Sequence, residues 1–244
     1  MSDEAYGRGE PWMTDVEAIQ QQYAEPDRLR ARMGVWRDGP QGISPLDVAR
    51  DAVVRLAPAR VIEIGCGTGE LAAQITARLP HCDYLATDRS PGMVAASAAR
   101  GLRTAIVDAG AMPFEDASAD VVVAAWMLYH VPDLDLALRE VRRVLRPGGV
   151  LVAVTNGDRH LADLLREAGG APLLTQFSSE NGEQTLGRHF TTVVREDIET
   201  RAYFEDHSVA VACLASFDPD LAASLARFDG AREYAGHTTV FQAW

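Results

Sequence analysis

A chain of 244 residues, 47% of them hydrophobic, is long enough for one domain with a substantial core, and no apolar run approaches the ~20 residues of a membrane-spanning helix. The formal net charge of -12 argues against nucleic acid as a partner, because phosphate backbones are bound through clusters of Lys and Arg. The 3 cysteines, Cys66, Cys82 and Cys213, are widely spaced and odd in number, which argues against a disulfide framework, and no Cys or His spacing suggests a metal site.

The first residues, Met1 to Glu10, are polar and acidic and lack the basic start and apolar centre of a secretory signal, so a cytoplasmic location is expected. Lysine is absent and every basic residue bar the histidines is Arg, which reads as the codon bias of a GC-rich bacterial genome. Residues 1–14 read as loosely attached. From Asp15 to Met33 apolar residues (Val16, Ile19, Tyr23, Leu29, Met33) recur at helical steps, with Pro26 dividing the segment into two helices. After the Gly39–Gly42 loop, Ser44 and Pro45 fit the N-cap and first position of a helix carrying Leu46, Ala49, Val53 and Leu56 as one stripe.

Beyond Pro58 short apolar strands alternate with helices. Strands are expected at 60–64, 84–87, 104–107, 121–125 and 150–155, with helices at 71–79, 91–100 and 133–145. Such alternation specifies a parallel sheet covered on both faces. Further on, the pattern predicts a helix at 158–168, a polar loop at 172–187, a strand at 190–198, helices at 209–217 and 221–228, and a last strand at 238–243. The expected architecture is a single α/β domain with a Rossmann-like, seven-stranded, mostly parallel sheet. Helices cover both faces, an antiparallel strand lies at the C-terminal end, and residues 1–45 form a helical lid. Residues 46–160 are the expected ligand-binding core and 161–244 the acceptor side.

The chemistry concentrates at Glu63-Ile-Gly65-Cys-Gly67-Thr-Gly69, at a strand-to-helix junction. Glycines there allow a tight turn and close approach to a ligand, and the following helix presents free N–H groups. A nicotinamide or flavin site would carry G-x-G-x-x-G, but Glu70 stands at the third glycine's place, where a carboxylate would oppose a pyrophosphate. Without lysine there is no phosphate-binding P-loop. Asp88, ending the second strand, suits a ribose diol. Asp108, ending the third, suits the amine of adenine. All three elements lie at the C-terminal edge of adjacent strands, where open α/β sheets bind ligands.

In order and spacing these segments resemble the class I S-adenosylmethionine (SAM) dependent methyltransferases, among them the small-molecule group related to the ubiquinone and menaquinone methyltransferases. Val61 to Leu71 is similar to their motif I, Thr87 to Met93 to the acidic second-strand motif, and Asp108 to Phe114 to the adenine segment. Asp120 to Asp133 is similar to the fourth-strand motif, and Val144 to Leu151 to the turn before the fifth strand. The resemblance covers about residues 55–160. It implies that SAM, giving S-adenosylhomocysteine, lies against Glu63, Gly65, Cys66, Gly67, Thr68 and Gly69. Asp88 would take the ribose, Arg89 and Met93 would flank the adenine, Asp108 with Ala109 would recognise its edge, and Met112 would belong to the same cofactor-binding segment. Ala125 and Trp126 would border the methyl group. Tyr23 and Arg32 would close the site from the N-terminal lid, with Arg32 on the SAM carboxylate.

The resemblance implies methyl transfer to an O, N or C atom of a small molecule, such as a bacterial secondary metabolite, by direct in-line displacement. No metal is expected, and the chain is read as a monomer or homodimer. His130, and after it Tyr129, are the candidates for catalysis beside the acceptor. Cys66 is read as a small buried side chain, not a nucleophile. Trp36, Phe177, Asn181, Phe190 and Tyr203 are candidates to line the acceptor pocket. The alternative is a protein of the same fold that binds SAM without transferring the methyl group, as a cyclase, rearrangement enzyme or SAM sensor.

Overall fold

The computed structural model describes residues 13–17, 19, 23 and 26–244; the expectation of a loose N-terminus falls, for residues 1–12, outside the described residues. Its strands are β1 (Trp36–Asp38), β2 (Arg60–Ile64), β3 (Asp83–Asp88), β4 (Thr104–Ile106), β5 (Ala119–Ala125), β6 (Leu145–Asn156), β7 (Val193–Phe204) and β8 (Arg232–Ala243). Its helices are α1 (Pro26–Met33), α2 (Pro45–Arg55), α3 (Glu70–Arg78), α4 (Pro91–Ala98), α5 (Leu134–Val144), α6 (Ala162–Glu167), α7 (Gly182–Leu186), α8 (His207–Ala215) and α9 (Pro219–Ser224). The strands form one sheet in the order β1-β7-β8-β6-β5-β2-β3-β4. From β6 to β4 all neighbours are parallel, whereas β8, β7 and β1 are added antiparallel.

The alternation of side chains along each strand builds two layers. Ile62, Ile64, Val122, Ala124, Leu151 and Ala153 pack with α5 through Leu134, Leu138 and Val141. Val61, Val121, Val123, Val152 and Val154 face the other way, onto Ala49 and Val53 of α2 and Leu71 and Ile75 of α3. A third cluster joins α6, α8 and α9 to β7 through Leu164, Leu214, Leu225 and Phe204. Helix α5 starts where Asp133 accepts from Leu136 N at 2.9 Å, as an N-cap should. Ser44 has the extended conformation of an N-cap but makes no side-chain cap hydrogen bond.

Three expectations need correction. The sheet has 8 strands, because Trp36–Asp38, read as part of a helical extension, pairs with β7. Both terminal strands are longer than expected: β7 and β8 pair from Val193↔Ala243 to Phe204↔Arg232. Their outer residues are charged, which hides the alternation in sequence. The helix expected at 158–168 shrinks to α6, since Leu161 takes a left-handed φ of 59° just before it.

The chain runs from β2 outward to β3 and β4, then returns to place β5 on the other side of β2. This reversal opens a crevice at the C-terminal ends of β2 and β5, the usual ligand position in such sheets. The two loops meet tightly there. Gly65, after β2, has φ +68°, and a Cβ on it would lie 2.6 Å from Met127 Cβ, in the loop after β5. Met127 Cβ is fixed to its backbone and cannot swing away. Gly65→Ala is therefore expected to destabilise the fold by about 2–5 kcal/mol, from left-handed strain of ~1–2 kcal/mol plus overpacking of ~1–3 kcal/mol. Thermal denaturation beside Gly42→Ala checks this. Gly42 has a similar φ of +67° with nothing within 4 Å of its Cβ, so it carries the strain without the clash; equal losses in the two variants would refute the contact.

Candidate functional site

A cavity of about 750 Å³ opens at this crevice, within the size range of small-molecule sites. Its floor is the loop after β2. Gly65, Gly67 and Gly69 all have positive φ, at +68°, +54° and +77°, which curls the backbone so that α3 begins at Glu70. Asp88, ending β3, holds this loop. Its Oδ2 accepts from Gly67 N at 2.9 Å and its Oδ1 from Ser90 N at 2.8 Å. Burial raises the Asp88 pKa, and the Ser90 and Gly67 N–H groups pull the other way. Arg100 Nε braces the loop from behind by donating to Thr68 O at 2.8 Å.

Beneath the loop Glu63 is 1% exposed. It accepts a hydrogen bond from Tyr84 Oη at 3.0 Å. Burial pushes its carboxyl up to about 7, against the lowering effect of that hydroxyl. Cys66 lines the cavity, but burial and the neighbouring Glu63 and Asp88 carboxylates push its thiol far above the usual range, so it is no nucleophile at neutral pH. At the open side Arg89 reaches Asp108 at 3.7 Å, and Asp108 Oδ1 also accepts from Gly110 N at 2.8 Å.

The opposite wall comes from the N-terminal segment. Ile19 N donates to Asp15 O at 2.9 Å and Tyr23 N to Ile19 O at 3.0 Å. Tyr23 O accepts from Ser90 Oγ at 2.9 Å, which ties the segment to the end of β3. His130, in the short helical turn Leu128–His130 after β5, completes the link. Its Nδ1 lies 3.0 Å from Met13 O and its Nε2 2.8 Å from Tyr23 Oη. A carbonyl only accepts, so Nδ1 carries the proton and Nε2 accepts from the tyrosine. Burial pushes His130 down to about 4, so this neutral tautomer holds across the physiological range. Both ring nitrogens are thus engaged in fastening the segment, and a base role for His130 requires Tyr23 to leave first. Tyr129 lines the cavity, and burial raises its pKa far above the ordinary phenol range.

Arg32, on α1, places its guanidinium 5.1 Å from the centre of the Tyr23 ring. Its Nε and Nη2 are buried without a hydrogen-bond partner among the described residues. Trp126, after β5, takes a φ of 53°, uncommon for a bulky residue, and donates from Nε1 to Asn156 Oδ1 at 3.0 Å.

Of the residues singled out from the sequence, Tyr23, Arg32, Glu63, Gly65, Cys66, Gly67, Thr68, Asp88, Arg89, Asp108, Ala109, Ala125, Trp126, Tyr129 and His130 all line this one cavity, together with Trp36. Gly69, Met93 and Met112 do not. A Cβ on Gly69 would meet Ser97 Oγ at 2.3 Å, behind the loop, and both methionines are core, 0% and 4% exposed. Phe177, Asn181, Phe190 and Tyr203 are also away from the cavity. Phe177 and Phe190 pack in the α5 layer, and Asn181 bonds to Ser178 N and Thr175 O. Residues not foreseen include Asn156, His160, Thr200, Thr238 and Cys213. Asn156, at the C-terminal end of β6, was accessible to the strand-end rule had the strand been extended by one residue. The others had no local signal.

Residues 62–153 match the family model described as a methyltransferase domain. The chain is 33% identical over 152 residues to the malonyl-[acyl-carrier protein] O-methyltransferase of Methylococcus capsulatus, covering 59% of this chain and 55% of that protein. It is 37% identical over 112 residues to the demethylmenaquinone methyltransferase of Thermus thermophilus, covering 43% and 51%. The chain thus spans about half the length of these curated relatives. Among solved structures, the [4+2]-cyclase SpnF superposes with a TM-score of 0.59 at 18% identity, over 93% of this chain and 96% of that one, a likeness of fold.

Proposed function

We propose that this chain, whose residues 62–153 match the methyltransferase-domain model, transfers the methyl group of SAM to a small-molecule acceptor by in-line displacement. The observation that carries this reading is the joining, in one cavity, of the curled glycine loop, Asp88 and Asp108 with the guanidinium of Arg32, whose Nε and Nη2 have no hydrogen bond among the described residues. These residues suit SAM part by part. Asp88 offers a carboxylate to the ribose, Asp108 an acceptor to the adenine amine, Glu63 an anion near the ammonium, and Arg32 N–H donors to the carboxylate. When bound, SAM supplies a sulfonium-activated methyl group. The chain's own part is to align the two partners and exclude water, with Trp126 and Ala125 at the C-terminal end of β5 and with Met13 and Tyr23 fastened at the cavity by His130 and Ser90.

Incubation with SAM carrying a deuterated methyl group and an extract of the encoding organism, followed by mass spectrometry, tests the activity. A labelled metabolite formed in step with S-adenosylhomocysteine supports it. Turnover of the extract's small molecules without label, by a protein that binds SAM, would instead establish the same fold doing non-methylating chemistry.

Glu63 gives this reading a pH signature. Its folded-state carboxyl titrates near about 7 against an ordinary 4.5. The group therefore stabilises the free fold fully below about 4.5, and that contribution is lost as pH rises toward 7. An ammonium placed beside it favours the carboxylate form. SAM affinity is thus expected to rise between pH 6 and pH 8, with proton release on binding below about pH 7. Calorimetry in buffers of different ionisation enthalpy measures that release. Glu63→Gln should abolish it and flatten the pH dependence of thermal stability; release that persists in the variant would assign it elsewhere.

A further inference from the structure

The cavity continues past Trp126 over the antiparallel half of the sheet, where its chemistry changes. Asn156 at the end of β6, Thr238 on β8 and Thr200 on β7 all line it. Trp126 Nε1 and Thr238 Oγ1 both bond to Asn156 Oδ1, at 3.0 and 3.1 Å. An indole N–H can only donate, so the atom facing it is the amide oxygen. The amide nitrogen of Asn156 is turned away, with no hydrogen bond among the described residues. Two more polar atoms here, Thr200 Oγ1 and His160 Nδ1, are buried and make no hydrogen bond among the described residues. Native proteins rarely leave such groups unpaired, because they destabilise the free fold.

The rest of this arm is apolar or flat. Trp36 stacks on His160 with ring centroids 3.9 Å apart and planes 24° from parallel. Leu161 and Leu173 line the same cavity. A Cβ on Gly236 would strike both Thr200 Oγ1 at 2.3 Å and the Trp36 ring at 2.4 Å, so hydroxyl and indole meet over one glycine.

On the reading that the chain is a methyltransferase, we infer that this arm is the acceptor subsite, and that it takes an uncharged molecule with an apolar body and a hydroxyl or carbonyl oxygen bound by Asn156, Thr200 and His160. Its enclosed polar groups are neutral, and Arg32, the cation of the same cavity, is engaged by the SAM carboxylate in the proposed complex. Burial holds the His160 imidazole down at about 3, against a smaller opposing pull from the His237 backbone, so it offers no charge to a carboxylate. Arg37 and Asp38 line the cavity too, but both are exposed, where water screens them. A charged acceptor would lose its hydration in this arm without gaining a counter-ion. A neutral oxygen would gain the partners that three side chains lack.

Equilibrium dialysis on the complex with S-adenosylhomocysteine tests this with three probes of one shape: 4-propylphenol, 4-propylbenzoate and 4-propylbenzylamine. The phenol is expected to bind at least about tenfold more tightly than either charged probe. Thr200→Val and His160→Ala should each weaken it about fivefold or more, leaving S-adenosylhomocysteine affinity unchanged. Thr200→Ser and His160→Asn, which keep a polar atom at each place, should restore it. Thr200→Val removes an unpaired hydroxyl, so it should leave the melting temperature unchanged or higher while binding falls, a combination that a purely structural role does not produce. Equal or tighter binding of a charged probe, or phenol affinity indifferent to both substitutions, overturns the inference alone. Failure to bind S-adenosylhomocysteine overturns the methyltransferase reading and this one with it.

Discussion

Asp88→Ala is expected to weaken SAM binding by about 1–3 kcal/mol, roughly 5- to 150-fold, through loss of charge-assisted hydrogen bonds. The carboxylate has two roles in the structure. It accepts from Gly67 N and Ser90 N at 2.9 and 2.8 Å, and so fixes the glycine loop to the end of β3. In the proposed complex it also accepts from the ribose hydroxyls. Removing it frees the loop and strips the ribose of its partner, so 5′-deoxy-5′-methylthioadenosine, which lacks the amino acid part of SAM, should lose affinity by a comparable factor. Burial already disfavours the Asp88 anion, and loss of that cost keeps the fold from suffering in proportion. Calorimetric titration of both ligands into the folded variant measures the effect. Unchanged affinities would move the ribose away from Asp88.

How much of this was legible in sequence follows from how local each signal is. The parallel strands β2, β3 and β5 are short apolar runs bounded by turns and match the expected bounds within two residues, whereas β6 begins at Leu145, well before the expected 150. The glycine loop, Asp88 and Asp108 stand at strand ends, so their convergence followed from the topology. Strand β1 was missed because three residues carry no period, and it forms only because β7 offers an open edge to Trp36–Asp38. Met93 and Met112 were carried over by resemblance, but their side chains turn inward: Met112 N bonds to Glu140 at 2.9 Å, which fixes the residue against α5. Thr200 and His160 lie far apart in sequence and come together only because β7 pairs with β8 and β8 with β6. A hydroxyl or imidazole left unpaired has no sequence signature; it is a property of the packed fold. The roles of His130 nitrogens were likewise hidden, since their partners Met13 and Tyr23 lie more than a hundred residues away.

Arg32→Met offers the sharpest separation of function from stability. The guanidinium sits over the Tyr23 ring, and its Nε and Nη2 are buried without a hydrogen bond among the described residues. Buried N–H groups left without an acceptor are costly, whereas methionine fills comparable space without polar atoms. The variant is therefore expected to melt no lower than the parent chain, and SAM affinity is expected to fall by about 2–5 kcal/mol, the cost of removing one partner from a buried charge pair. Because the proposed contact is to the SAM carboxylate, 5′-deoxy-5′-methylthioadenosine should bind the variant as well as it binds the parent. Asp88→Ala should weaken both ligands and Arg32→Met only SAM, so the two variants locate the two halves of the ligand independently. Equal losses for both ligands in Arg32→Met would place the guanidinium against the nucleoside. A lower melting temperature with SAM affinity intact would make Arg32 a strut of the N-terminal segment, holding Tyr23 in place, and would leave the carboxylate to the backbone of the glycine loop.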